Sequence, residues 1–130
     1  MAFLSVNKDI DDESAGILYI LVFRLDDGTE VYKIGVTKRK IQERVVEILA
    51  SFWISFRYFP YCYPKRFKKT SDVYKKETEM HQLLDEFRFE FEKRFDGSTE
   101  FFSGVELDEI LDKYEKCLKG KLDEKNSTDV

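Results

Sequence analysis

The chain has 130 residues, 42% of them hydrophobic, with twelve Phe and seven Tyr, and a formal net charge of −4. That apolar and aromatic content suits one packed domain and excludes global disorder, while the acidic total argues against nucleic-acid binding by bulk charge alone. No apolar run approaches the ~20 residues of a membrane span, and Cys62 and Cys117 match no metal or redox spacing, so a soluble protein with reduced thiols is expected.

Residues 1–14 carry Asp9, Asp11, Asp12 and Glu13 against Lys8 and read as a flexible lead without the features of a signal peptide. "GILYILVFRL" (16–25) is a buried strand, and "TEVYKIGVT" (29–37) follows "DDG" to complete a β-hairpin. "KIQERVVEILASF" (40–52) is an amphipathic helix with Ile41, Val45, Ile48 and Phe52 on one stripe. "ISFRYFPYCY" (54–63) reads as a third strand ending near Pro64. A long helix, capped by Ser71 or Asp72, runs from there to about Phe91, although "FRFEF" alternates as a strand would. "GSTEFF" (97–102) is a short extended piece, "VELDEILDKYEKCL" (105–118) a closing helix and 120–130 a polar tail. One α+β domain over 15–119 is predicted, a small mixed or antiparallel sheet (the hairpin plus a third strand) flanked by helices.

Positive charge is concentrated in two places. "YKIGVTKRKIQER" (Tyr32 to Arg44) crowds Lys33, Lys38, Arg39 and Lys40 around a strand-to-helix turn and sets Arg44 at the border of the helix's apolar stripe. From Arg57 to Lys76, seven cations, Lys65, Arg66, Lys68 and Lys69 among them, face the single acid Asp72. Phe59, Tyr61, Tyr63 and Phe67 interleave with them, a mixture suited to a binding face as well as to a solvated one.

The long helix carries an acid in an apolar slot. Val73, Met80, Leu84, Phe87 and Phe91 form its stripe, and Glu77 sits between Val73 and Met80 with His81, the one histidine, a turn further on. A carboxylate held against a core must be paired, hydrogen-bonded or bound to a cation. A structural salt bridge with Arg44 is one resolution and a functional site another. Tyr19 is a polar-tipped ring in an aliphatic strand, and the hairpin turn decides its neighbour. A three-residue loop, Asp26 to Gly28, sets Leu25 opposite Thr29 and Lys33 on Tyr19's face, whereas a two-residue loop brings Tyr32 there instead.

Taken in order, these stretches resemble the GIY-YIG nuclease superfamily, most closely its phage-associated branch, in which the second motif reads K-I-G. "GILY" (Gly16 to Tyr19) is similar to the first motif and "YKIGVT" (Tyr32 to Thr37) to the second. "ERVVEI" holds the helix arginine, Arg44; "ETEMH" (Glu77 to His81) resembles the branch's E-x-x-x-H; and "TEFF" (Thr99 to Phe102) resembles its closing strand. Lys33 stands where the family has its second tyrosine, and Tyr19 lies three residues after Gly16 instead of two; both variations occur in that branch.

The resemblance implies hydrolysis of a phosphodiester bond, in DNA more than RNA, with one divalent ion, Mg²⁺ or Mn²⁺. It makes Glu77 the metal ligand, Tyr19 the general base and Arg44 the phosphate clamp. It registers Lys33 beside Tyr19, favouring the three-residue loop, and makes His81 a candidate for proton transfer or for orienting a ligand. Free tyrosine is a poor base at neutral pH, but neighbouring cations favour its phenolate. Lys38, Arg39, Lys40, Lys65, Arg66, Lys68 and Lys69 become candidates for holding the nucleic-acid backbone. Specificity would come from loops, a homodimer or a protein partner, in the cytoplasm of a bacterial or phage-infected cell. A noncatalytic nucleic-acid-binding module and a phage-type factor acting on a protein are the alternatives on the same scaffold.

Overall fold

The hairpin is built from two runs of β-formers joined by a turn that requires a glycine. In the computed structural model, which describes residues 12–120, β1 (Gly16–Arg24) and β2 (Glu30–Thr37) pair antiparallel. The Leu25 N–H donates to Thr29 O (2.9 Å) and the Gly28 N–H to Leu25 O (2.9 Å). Gly28 has φ 86°, a left-handed conformation that costs glycine nothing. This is the three-residue loop, and it sets Tyr19 opposite Gly35 and Leu21 opposite Lys33. Tyr19 and Lys33 therefore share a face.

β3 (Tyr61–Thr70) pairs with the other edge of β1, and β4 (Phe101–Phe102) with Tyr32 and Lys33 of β2. The result is a four-stranded antiparallel sheet in the order β3-β1-β2-β4, flanked by three helices, an α+β fold as expected. On one face α1 (Ile41–Phe56) packs Ile41, Ile48 and Phe52 against Tyr19, Leu21, Phe23 and Val31. On the other, α2 (Val73–Leu83) and α3 (Leu107–Leu118) cover Leu18, Ile20, Val22 and Ile34. β1 is buried on both faces, which is why its sequence is an unbroken apolar run.

Three expected boundaries move. The third strand does not occupy 54–63: α1 continues to Phe56 because Phe52 and Phe56 (centroids 4.6 Å apart) extend its apolar stripe into an aromatic cluster. Arg57, at φ 64°, closes the helix with its N–H on Trp53 O (2.7 Å). β3 begins at Tyr61 and passes through Pro64, where the register against β1 shifts between Ile20 and Leu21, as an edge strand permits. The long helix ends at Leu83, not Phe91. Leu84 and Phe87 complete the α2 side, and the chain then crosses the sheet edge so that Phe91 and Phe95 join Phe52 and Phe101 on the α1 side.

The alternation in "FRFEF" has strand character after all. Phe89 N–H donates to Phe101 O (2.9 Å), and Arg88 bridges Phe102. Neither Ser71 nor the side chain of Asp72 caps α2. Ser14 does so, its carbonyl accepting from Val73 N–H (2.9 Å) and its Oγ from Asp72 N–H (3.2 Å). The expected flexible lead and tail fall almost entirely in 1–11 and 121–130, outside the described residues. Among the described residues no helix is long and apolar enough to cross a membrane.

A buried hydrogen bond ties α3 to the sheet, the Tyr114 hydroxyl donating to Leu18 O at 2.6 Å. Tyr114→Phe removes that bond, and urea denaturation should register a loss of about 1–2 kcal/mol at unchanged m value.

Candidate active site

Lys33 points from β2 into the core and is 0% exposed, as is Tyr19 beside it. A buried ammonium must find acceptors. Lys33 Nζ donates to the Tyr19 hydroxyl oxygen (3.1 Å) and to Glu100 Oε1 (2.5 Å). An ammonium only donates, so the tyrosine oxygen is the acceptor, the polarity that a phenolate would keep. Gly35 makes room for the pair. A Cβ there would lie 2.5 Å from the Tyr19 hydroxyl and 2.7 Å from Lys33 Nζ. The glycine of "KIG" is thus a space requirement of its two neighbours.

Arg44 reaches the same place from α1. Its Nη1 donates to Asp96 Oδ2 (2.7 Å) and Nη2 to Asp96 Oδ1 (3.2 Å), with a further bond from Nη1 to Glu47 Oε1 (3.2 Å). The Asp96 contact, followed by the nearby Tyr19 hydroxyl, strengthens the hold of this guanidinium on its proton against the opposing effect of burial. Its partners are Asp96 and Glu47, so an Arg44–Glu77 bridge, one of the two readings open from sequence, is not how the structure uses Arg44.

Glu77 is half-buried on α2, with Glu100 and Lys33 as its charged neighbours. Burial, the charge of Glu100 and a hydrogen bond with that second carboxyl push it up to about 7, while Lys33 pulls the other way. Two carboxyls forced together beside a hard oxygen acceptor set are the chemistry that a divalent cation relieves. Among the described residues no group of three or more His, Cys, Asp and Glu stands ready to hold a metal. One carboxylate, with water and substrate oxygens filling the shell, can hold Mg²⁺; Glu77 suits that role, whereas Glu100 is already engaged by Lys33.

His81 lies one turn beyond Glu77, but its contact is with the sheet. Its Nε2 is 2.7 Å from Ile34 O, and its ring packs 5.5 Å from that of Phe102. A carbonyl only accepts, so Nε2 carries the proton. Burial depresses the basicity of the ring. His81 thereby seals the β2 edge and anchors the helix that presents Glu77.

The surface cations divide into tethered and untethered sets. Lys38 Nζ donates to Glu13 O and lies over the Tyr74 ring (5.5 Å), and Arg39 pairs with Glu47 (2.5 Å). Lys40 is exposed at the start of α1. With Lys69, these three line a groove of about 630 Å³ at the strand-to-helix junction, which includes neither Tyr19, Lys33 nor Glu77. The β3 cations do not share one face: Lys69 pairs with Ile17 on the α1 side, whereas Lys68 and Arg66 pair with Leu18 and Ile20 on the other.

The structure therefore brings Tyr19, Lys33 and Arg44 together, sets Glu77 beside them through Glu100 and holds His81 against the sheet. Through their shared partner Glu47 it joins Arg39 to Arg44, and it leaves the other six surface cations outside this cluster. It adds Asp96 and Glu100, which patterning did not single out. Glu100 was visible within "TEFF", and Asp96 precedes a glycine as many turn residues do.

The T5orf172 domain family matches residues 16–118, and the chain belongs to it. This is a phage-associated domain related to GIY-YIG-like nuclease folds, compatible with a nuclease-like or nucleic-acid-binding role. No curated protein and no solved structure matches the chain.

Two consequences are measurable. Gly35→Ala forces Tyr19 or Lys33 from its place and should cost about 1–3 kcal/mol in urea denaturation. Glu77 is raised in the folded state, so its contribution is fully present below its ordinary value of 4.5 and is lost as pH rises through about 7. Glu77→Gln should accordingly raise the melting temperature at pH 8, with the gain shrinking toward pH 5. A constant gain across that range would remove Glu77 as the titrating group.

Proposed function

We propose that this protein is a small metal-dependent endonuclease of the GIY-YIG type, of the branch whose second motif reads K-I-G, hydrolysing phosphodiester bonds in DNA in preference to RNA. The observation that carries the reading is the half-buried Glu77 carboxyl, crowded against Glu100 within reach of the Lys33–Tyr19 pair, inside a chain of this family. A structural acid in that slot would be matched to a cation of its own; Glu77 instead meets a second acid.

On this reading Glu77 would hold one Mg²⁺ or Mn²⁺, which when bound would neutralise phosphate oxygens and make water easier to deprotonate. Tyr19 takes the proton from the attacking water. The Lys33 ammonium donates to the Tyr19 oxygen from 3.1 Å, so the phenolate that must accept the proton, and becomes phenol on doing so, faces a cation. Arg44 grips the scissile phosphate by its two-pronged fork. Gly35 keeps the tyrosine oxygen and the ammonium in contact. His81 holds α2 to β2 and so keeps Glu77 in place. Lys38, Arg39 and Lys40, with Lys65, Arg66, Lys68 and Lys69 on β3, supply contacts to the flanking backbone. The reaction belongs to the cytoplasm of a bacterial or phage-infected cell, and a homodimer or protein partner supplies target choice. A binding module without chemistry accounts less well for two carboxylates beside the phosphate-facing cations, since both would repel the ligand.

Purified protein incubated with supercoiled plasmid and Mg²⁺ or Mn²⁺ should nick or linearise it, and Glu77→Gln should reduce the rate by about 100-fold or more. Absence of cutting with either ion, or cutting that survives the substitution, would reject the nuclease reading.

A further inference from the structure

Both Nη atoms of the candidate phosphate clamp are already engaged by acids. Arg44 makes to Asp96 the same two-pronged contact that a guanidinium makes to a phosphate, at 2.7 and 3.2 Å, and Glu47 takes a further Nη1 bond at 3.2 Å. Four residues later on the same turn, Glu100 accepts from Lys33 at 2.5 Å. Two acids on one short segment thus cover the two cations of the site.

The segment between them is built to lie there. Asp96 N–H donates to Ser51 Oγ on α1 (2.8 Å), Ser98 N–H to Phe95 O (3.0 Å) and Glu100 N–H to Gly97 O (3.1 Å). Gly97 has φ 84°, and a Cβ on it would fall 2.5 Å from Lys33 Cε and 3.6 Å from Arg44 Nη2. The backbone rests directly on the lysine. Beneath it Tyr19 and Lys33 are 0% exposed, so no water or phosphate reaches them while the turn stays in place.

We propose that Asp96 and Glu100 are resident phosphate surrogates: the turn 96–100 keeps Arg44 and Lys33 neutralised over Tyr19, and the substrate's phosphates displace its carboxylates to open the site. The inference rests on the nuclease reading for the identity of the displacing ligand. The Arg44 side chain is 17% exposed and that of Asp96 49%, so the pair is partly solvated and weak enough to exchange. A single stray anion meets a filled fork, whereas a polyanion with adjacent phosphates can replace both acids together. An acidic chain thereby stores a cation pair without exposing it.

The test measures anion affinity, with no turnover needed. Asp96→Asn keeps the side-chain shape and removes its charge, Asp96→Ala removes the fork's partner altogether, and Asp108→Asn, exposed on α3, controls for one lost negative charge. Each is titrated in EDTA with inorganic pyrophosphate by calorimetry and with a labelled short DNA duplex by anisotropy, after circular dichroism shows it folded. Both Asp96 variants should bind each probe about three- to tenfold more tightly than the wild type and the Asp108 control. The gain should vanish when Arg44→Gln is added. A gain no larger than the control's, a gain that survives loss of Arg44, or weaker binding in both Asp96 variants would overturn the proposal. Tighter pyrophosphate binding with no duplex binding by any form would uphold the surrogates while removing nucleic acid as the substrate.

Discussion

A lysine with no exposure to water is the constraint around which this small domain is arranged. Leaving its charge unpaired in the interior would cost several kcal/mol, and the chain provides a tyrosine oxygen and a carboxylate as acceptors. Each acceptor imposes a further condition. The tyrosine must stand on the same face of the sheet, which fixes the hairpin loop at three residues. Its hydroxyl and the ammonium must pass over β2 where there is no side chain, which requires Gly35. The carboxylate must arrive at the end of a turn that lies on the lysine stem, which requires Gly97. A motif that reads as three letters is the sum of these packing conditions.

The same constraint orders the charges nearby. Lys33 and Arg44 bring two positive charges to one corner, and Glu100 and Asp96 bring two negative ones. Glu77 is then the carboxyl without a cation of its own, which is why burial and the charge of Glu100 drive its proton affinity upward while Lys33 only partly offsets them. The imbalance has a direction. Added positive charge at Glu77 and Glu100 would be welcomed, and added negative charge at Arg44 must first move Asp96. The corner is poised for a cation before an anion.

How much of this could be read beforehand follows from which parts repeat. β1, β2, α1 and α3 carry regular periods and were legible. Glu77 was legible because it breaks a period, and Lys33 because the loop length puts it on Tyr19's face. The third strand was misplaced because Phe52, Trp53, Ile54 and Phe56 suit a strand as well as a helix end, and only packing against Phe91 and Phe95 decides between them. The long helix was drawn too far for a related reason: its apolar stripe continues in sequence while the chain changes faces of the sheet. Asp96 and Glu100 lie in the irregular stretch produced by that crossing, where no period exists to mark them. The missing half of the site therefore lay where pattern carries least information.

The distribution of the remaining cations bears on how an acidic protein could meet a polyanion. Those at the centre are neutralised by carboxylates, and Arg39 at the junction is paired as well. Along β3, Lys65, Arg66, Lys68 and Lys69 occupy an edge strand that no further strand among the described residues covers. Because strand alternation sends Lys69 to one side and Lys68 and Arg66 to the other, the strip is an edge, and an edge can follow a phosphate backbone lengthwise where a flat patch would contact it broadside. Lys and proline on that edge also discourage pairing with another strand. Lys69 leads from it into the groove at the start of α1, whose helix carries Arg44. On the proposed function, approach along β3 would deliver negative charge toward Arg44, whose fork Asp96 occupies, so an order of contacts, edge first and centre last, follows from where these cations sit.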